Sequence, residues 1–448
     1  MDIFVVFIII FISLVLSIYK GITIVYPLLF GLLLFVVICM RRGFRFKALL
    51  SMILAGGKKS LTMVRIFVLI GAIIPVWMAA GTVEYIVYYG IKLMNPQYFI
   101  ISAFVISAFV SFILGTAIGT AGTIGMALMV LAKSGQVDVN VAAGAIIAGA
   151  YFGDRCSPMS SSANLVAVLT DTDLYKNIRN MFLTTIIPLI FAMVIYTFVS
   201  INHPLYFGGN GIEDEISRLF NLHPVVIIPA VIILMFALFK INVRTSMLVS
   251  IVAGTVVAIL FQNQSLDKML FYAIAGYKMN GDSILNNILS GGGILSMVKI
   301  AMIVFVSSTY SGIFEGTGLL TSLEIVIKRF SNRYGVFPAT FVTSIITSCF
   351  GCTQALAILL THQLMKKEYK SKGQDQYKLA IDIENTAVVI SPLIPWNIAG
   401  AVPAAMLGAG PGFILYAVYL FLVPLFNFPL NQIIKKASEP QTEGSNNQ

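Results

Sequence analysis

Charge is what this 448-residue chain has least of: 11% of its residues are charged and 58% are hydrophobic. A soluble domain does not fold and stay dispersed on that balance. Histidine is also rare, at three residues, and no H-E-x-x-H pair or comparable nucleophile–base set occurs. A membrane-embedded enzyme is therefore not expected. The four cysteines, Cys39, Cys156, Cys349 and Cys352, lie in or beside apolar segments, which argues against a disulfide framework. Cys349 and Cys352 form a C-x-x-C without a soluble redox domain, so small packing residues are the better reading. The glycine run 115–125 lacks GK[ST] and a preceding strand, so it is no nucleotide loop.

What the chain has in quantity is apolar runs of span length, repeated from end to end. The expected class is an all-α polytopic membrane protein lying in the lipid bilayer. The net charge of +10 does not point to nucleic acid, because the basic residues cluster. Segment 41–65 carries seven of them and no acid, 366–378 carries five lysines, and 328–334 carries three. Clusters of this kind mark cytoplasmic loops. Segment 202–222, with Glu213, Asp214 and Glu215, reads as external. The first apolar run, 3–19, has no basic start or cleavage site and reads as a retained helix.

Anchored on those loops, the spans fall at about 3–19, 22–40, 66–94, 141–170 and 181–200, then 222–239, 245–262, 297–327, 377–405 and 411–430. Two Gly/Thr-interrupted blocks, 98–132 and 336–365, read as re-entrant hairpins; the alternative makes each arm a full span, which adds four crossings and keeps the termini and the inversion. The expected fold has about ten transmembrane helices plus two re-entrant hairpins, in two inverted repeats of five crossings. Both termini are then cytoplasmic and the chain is a multi-pass protein of the cell membrane. The domain scheme is 1–200 for the first repeat, 201–221 for an external acidic loop, 222–430 for the second repeat and 431–448 for a polar tail. The oligomeric state is open, with a homodimer among the options.

The repeat is visible in the residues. GDRCSPMSSSANLVA at 153–167 and IENTAVVISPLIPWNIAGA at 383–401 set Ser157-Pro158 against Ser391-Pro392, 234 positions later, each followed by an Asn, Asn164 or Asn397. Gly81-Thr82 pairs with Gly316-Thr317 in the same way. Proline-interrupted polar segments inside hydrocarbon are costly unless they line a site. Two in matching positions mark the binding site of a secondary transporter, with the helices broken at the midplane. A channel would want a continuous pore rather than an inverted repeat.

Intramembrane ionisable residues are the first functional candidates. Asp154 stands at the first break and Glu384 before the second. With Ser157, Ser161 and Asn164 they form a candidate cation- and proton-binding set, Asp154 and Asn164 being candidate sodium ligands through oxygen. Thr120, Thr123, Ser160, Asn385, Thr386, Ser391 and Asn397 offer hydroxyl and amide groups to a solute. Glu84, Glu315 and His362 are weaker candidates, with interfacial or structural roles as the alternative. No resident cofactor is implied; a sodium ion and a proton serve as coupling ions.

WMAAGTVEYIVYYG, GTAIGTAGTIG, AGAIIAGAYFGDRCSPMSSSANLVA, GGGILSM and SPLIPWNIAGA resemble the NhaC family of sodium/proton antiporters over about residues 66–410. The resemblance implies inverted repeats with broken helices and hairpins, and sodium/proton antiport by alternating access. Relatives in that family are assigned to malate/lactate exchange or amino-acid transport, so a sodium-coupled transporter of a small carboxylate or amino acid is the alternative. Against the common patterns GDKLSPLSDTTN and LEDSGTVTSPLIPWN, this chain has Ser161 and Asn385 where an acid is usual, and Ala387-Val388 where GT is usual. Fewer acids at the site turn part of the expectation toward an organic solute.

Overall fold

The computed structural model describes residues 25–93, 95–206, 212–239, 241, 243–278, 291–317, 324–351 and 353–438, with scattered positions between 6 and 23. The span expected at 3–19 falls mostly outside them, as do Cys352 and the end of the tail, and so do the side chains of Glu213, Asp214, Glu215 and Glu315. The described residues are almost entirely helical. Helices α1 Val25–Arg41, α2 Phe46–Ala79, α3 Thr82–Leu93, α4 Phe99–Leu114, α5 Met126–Ser134, α6 Val139–Cys156, α7 Ser161–Thr170 and α8 Leu174–Asn202 make up the first part. After a short helix, α9 Ile212–Leu219, come α10 Ile228–Leu238, α11 Val243–Phe261, α12 Leu266–Ala275, α13 Val298–Thr317 and α14 Glu324–Tyr334. The last part holds α15 Val336–Gly351, α16 Gln354–Ser371, α17 Gln376–Glu384, α18 Ala387–Ile390, α19 Ile398–Met406 and α20 Val418–Ser438.

Five helices among the described residues are long and apolar enough to cross a bilayer, or seven if two bent pairs each count as one span. The bent pairs are Val64–Ala79 with Thr82–Gly90, at 70°, and Gln376–Leu393 with Ile398–Met406, at 54°. The first bend turns at Gly81, whose φ of 76° is cheap only for glycine. In the first hairpin, arms of 19 residues (Pro96–Leu114) and 18 residues (Ala117–Ser134) each have the length and composition of a full span, the alternative the sequence leaves open beside re-entrant arms. Residues 46–65, expected as a basic loop, are helical and continuous with the span that follows. The charge pattern there reports which side of the membrane the segment faces, and nothing in it opposes helix. Leu49, Gly56 and Gly57 face inward, and a Cβ on Gly56 would collide with Ser308 O on α13. Small residues permit that backbone approach. The same device joins α6 to α4: a Cβ on Gly153 would collide with Phe112 N.

The apolar side chains form two main cores. One gathers α3, α4, α5 and most of α6; the other gathers α1, α15, α16 and α17. Two broken helices cross between them in opposite senses. Val141–Tyr151 belong to the first core, and Val166, beyond the Ser157–Ser160 break, belongs to the second. Leu379, Ile383, Val388, Ile390 and Trp396 belong to the second core, and Ile398–Leu407, with Val389, to the first. The two breaks therefore meet where the cores meet.

Proline explains how the helices stay open at chosen points. A proline has no N–H for the carbonyl four residues back, and in hydrocarbon that carbonyl needs another donor. Pro75 frees Gly71 O, which accepts from Gly293 N at 2.8 Å. The Gly291–Gly293 segment is thus a partner for α2. Pro188 frees Thr184 O, which accepts from Asn427 Nδ2 at 3.3 Å. Pro403 frees Ala399 O, which accepts from Tyr151 Oη at 2.7 Å. Each replacement bond ties together segments far apart in sequence.

Candidate functional site

The same rule applied to the two Ser-Pro pairs builds the site. Pro158 has no N–H for Asp154 O, and Pro392 has none for Val388 O. Asp154 and Val388 thus hold equivalent places, each four residues before the proline of a Ser-Pro pair. Asp154 O accepts from Ser162 Oγ at 3.2 Å, and Val388 O accepts from Gln354 Nε2 at 3.2 Å. The Asp154 side chain joins the two: its Oδ2 accepts from Ser162 Oγ at 3.1 Å and from Gln354 Nε2 at 3.2 Å. Asp154 is 4% exposed, and the backbone amide of Ala117, at the tip of the first hairpin, also contacts it. A single buried carboxylate therefore touches the first hairpin tip, the first break and the second hairpin tip.

Both tips are built alike. Thr116 caps the second arm of the first hairpin by accepting from Gly119 N at 3.3 Å, and Thr353 caps the second arm of the other by accepting from Leu356 N at 3.2 Å. Beyond the breaks, Ser160 caps α7 by accepting from Ser162 N and Ala163 N, and Asn397 caps α19 by accepting from Ala399 N. Side-chain oxygens at these positions satisfy amides that would otherwise be orphaned.

The remaining candidates distribute as follows. Ser157 is buried and its Oγ accepts from Met159 N at 3.1 Å. Ser161 and Asn164 are exposed on α7, and the Asn164 amide donates to Pro158 O and Ser160 O, so neither reaches Asp154. Thr120 and Thr123 are buried and bond to carbonyls of their own segment, Thr116 O and Gly119 O. Thr386 Oγ1 donates to Asp382 O at 2.6 Å and accepts from Ser344 Oγ at 2.9 Å. Ser391 Oγ lies 3.1 Å from Ser348 Oγ, and Asn397 Nδ2 donates to Ser348 O at 2.8 Å. Thr386, Ser391 and Asn397 thus stitch the second break to α15.

Glu384 is fully buried, and neither carboxylate oxygen has a hydrogen-bond partner among the described residues. It lies within electrostatic range of Arg155 and Asp154. Arg155 is itself fully buried. Its guanidinium donates to Thr184 Oγ1 at 2.9 Å, to Tyr419 Oη at 3.4 Å, and to Thr185 Oγ1 and Asn385 Oδ1. All four partners are neutral, and Arg155 Nε has none among the described residues. Asp382, two residues before Glu384, is occupied by Lys378 Nζ and Tyr369 Oη, each at 2.7 Å. Glu84 is likewise buried with no side-chain partner for either oxygen among the described residues, but it lies beside Tyr277, within the first core. His362 is 7% exposed and its Nε2 has no partner among the described residues.

Sequence reasoning misses Gln354, Thr184, Thr185 and Tyr419, which carry no motif of their own. Counting four residues back from each proline does name the Asp154 and Val388 carbonyls.

Residues 149–430, from the first break to the last helix, match the family described as Na+/H+ antiporter family. The "Malate-2H(+)/Na(+)-lactate antiporter" of Bacillus subtilis is 27% identical over 378 residues, 82% of this chain and 80% of that one. The "Na(+)/H(+) antiporter NhaC" of Alkalihalophilus pseudofirmus is 27% identical over 382 residues, 84% of this chain and 82% of that one. The "Arginine/ornithine antiporter ArcD" of Halobacterium salinarum is 28% identical over 360 residues, 77% of this chain and 72% of that one. The matched stretch takes in both Ser-Pro breaks and the whole second hairpin, and on that evidence the chain belongs to the Na+/H+ antiporter family.

Proposed function

We propose that this protein exchanges sodium ions for protons across the cell membrane by alternating access, with Asp154 carrying either a proton or a sodium ion. The observation that carries the reading is the position of the Asp154 carboxylate. It is buried where two oppositely running broken helices cross, among oxygens freed by Pro158 and Pro392. Freed carbonyls and one carboxylate suit a small hard cation, and the carboxylate accepts a proton as the cation leaves. Glu384 is the second proton carrier, since both of its oxygens are free to receive one. Sodium added to everted vesicles holding the protein should dissipate an acid-interior pH gradient. A gradient indifferent to sodium would count against the reading.

The finer topology belongs to the same proposal: two inverted repeats, 1–200 and 222–430, an external loop at 201–221, and a cytoplasmic tail at 431–448. The matched Thr caps at the hairpin tips and the matched freed carbonyls support it. The parity is the same whether the hairpins re-enter or cross. Single cysteines at Arg42 and Lys367 should both react with an impermeant thiol reagent from the cytoplasmic side. Reaction from opposite sides would sink the inverted scheme.

One observation favours a second reading, sodium-coupled movement of a small carboxylate or amino acid. A fully buried guanidinium bonded only to neutral groups, with Nε unpartnered, can receive a solute carboxylate. The names of two relatives specify lactate and arginine/ornithine.

A further inference from the structure

We infer that Gln354 is a cation ligand as well as a positioning group, and that its amide nitrogen holds the cation's place while the site is proton-loaded. The inference deepens the antiport reading and rests on it. Gln354 Nε2 sits between two oxygens from opposite halves of the molecule, 3.2 Å from Asp154 Oδ2 and 3.2 Å from Val388 O. A donor that bridges a carboxylate oxygen and a proline-freed carbonyl occupies the position a small cation would take between the same two oxygens. The primary amide is suited to the exchange because its two ends have nearly the same shape, one donating and one accepting. Rotation about the terminal torsion withdraws the nitrogen and presents Oε1. The Ser162 hydroxyl, 3.1 Å from Asp154 Oδ2 and 3.2 Å from Asp154 O, makes the same change by turning its proton away.

The resulting ligand set is Asp154 Oδ2, Asp154 O, Val388 O, Ser162 Oγ and Gln354 Oε1, all oxygen, with one formal charge. That composition fits a monovalent hard cation better than a divalent one, which draws more carboxylates. The set also spans both repeats. Asp154 and Ser162 come from the first break, Val388 from the second, and Gln354 from the tip of the second hairpin, directly after its Thr353 cap. Motion of that tip away from Asp154 would take Gln354 with it, and Val388 as well where the second break follows, so release of the cation is tied to movement of one half against the other.

Two substitutions test the inference. Gln354→Leu keeps the bulk and removes both amide ends; Gln354→Glu keeps the shape and supplies oxygen only. Binding of radioactive sodium would be measured on the purified full-length protein, with folding checked by its thermal melt. Loss of one charge-assisted oxygen contact corresponds to about ten- to hundredfold weaker sodium binding in the leucine variant. The glutamate variant should bind sodium at least as tightly as wild type above neutral pH. Sodium affinity within about twofold of wild type in Gln354→Leu would overturn the inference. So would binding about tenfold weaker in Gln354→Glu, and this second result decides the matter if the leucine variant does not fold. Wild type that binds no sodium at all would be a different outcome: it would remove the antiport reading itself, and this ligand set with it.

Discussion

Asp154→Asn should abolish sodium-driven proton movement while leaving a folded, inserted protein. The substitution keeps the size of the side chain. Its amide oxygen can still accept from Ser162 Oγ and Gln354 Nε2, the two donors on Asp154 Oδ2 in the native chain. What goes is the formal charge of the oxygen cluster that joins the two breaks, and with it the proton that exchange requires. Charged hydrogen-bonded groups contribute about 1.5–3 kcal/mol each, so cation binding alone should weaken by about ten- to hundredfold. Loss of the titrating proton removes turnover altogether. The measurement is the rate at which sodium dissipates a pH gradient in vesicles, set against the amount of inserted protein. Undiminished exchange in the asparagine variant would make Asp154 a structural group, held by Ser162 and Gln354 for the sake of the break.

Glu384→Gln should have the second-largest effect, and of a different kind. Both Glu384 oxygens are buried and unpartnered, so replacing the acid with an amide breaks no hydrogen bond. The melting temperature should stay close to that of wild type. Sodium binding should survive, because Asp154, Val388 and Gln354 are untouched. Exchange should nonetheless fall by about tenfold or more, the scale on which a positioned proton-transfer group usually acts, and its dependence on pH should flatten. A glutamine variant with the wild-type rate and pH profile would remove Glu384 from the proton path and leave it as a counter-charge to Arg155.

Much of this site is legible in the amino-acid sequence. The paired Ser157-Pro158 and Ser391-Pro392, their 234-residue offset and the acids beside them point to two helix breaks and to Asp154 and Glu384. Which side chains answer the breaks is harder to read. Gln354 arrives from a neighbouring helix, as Tyr419 does beside Arg155, and hydropathy does not record which residues of a packed helix face which partner. Gln354 is within reach all the same. It follows Thr353 as Ala117 follows Thr116, so aligning the hairpin tips puts it beside Asp154. Ser161 and Asn164 look like site residues because they stand in the motif, yet α7 turns them outward and brings Ser162 in between. Helix periodicity around 160–164 carries that distinction, and the run of three serines masks it. The helix at 46–65 escapes a reading by charge for another reason: basic residues mark a cytoplasmic segment, and a cytoplasmic segment need not be a loop.

Competition between a proton and a sodium ion for one carboxylate is the core of the account, and it has a direct readout. Purified protein in weakly buffered detergent solution, carrying a pH indicator, would be titrated with sodium chloride, with choline chloride as the control. The account predicts that sodium binding expels protons into the solution, that more sodium is needed as the pH falls, and that Asp154→Asn expels none. Saturable sodium binding that releases no proton and does not change with pH would contradict it.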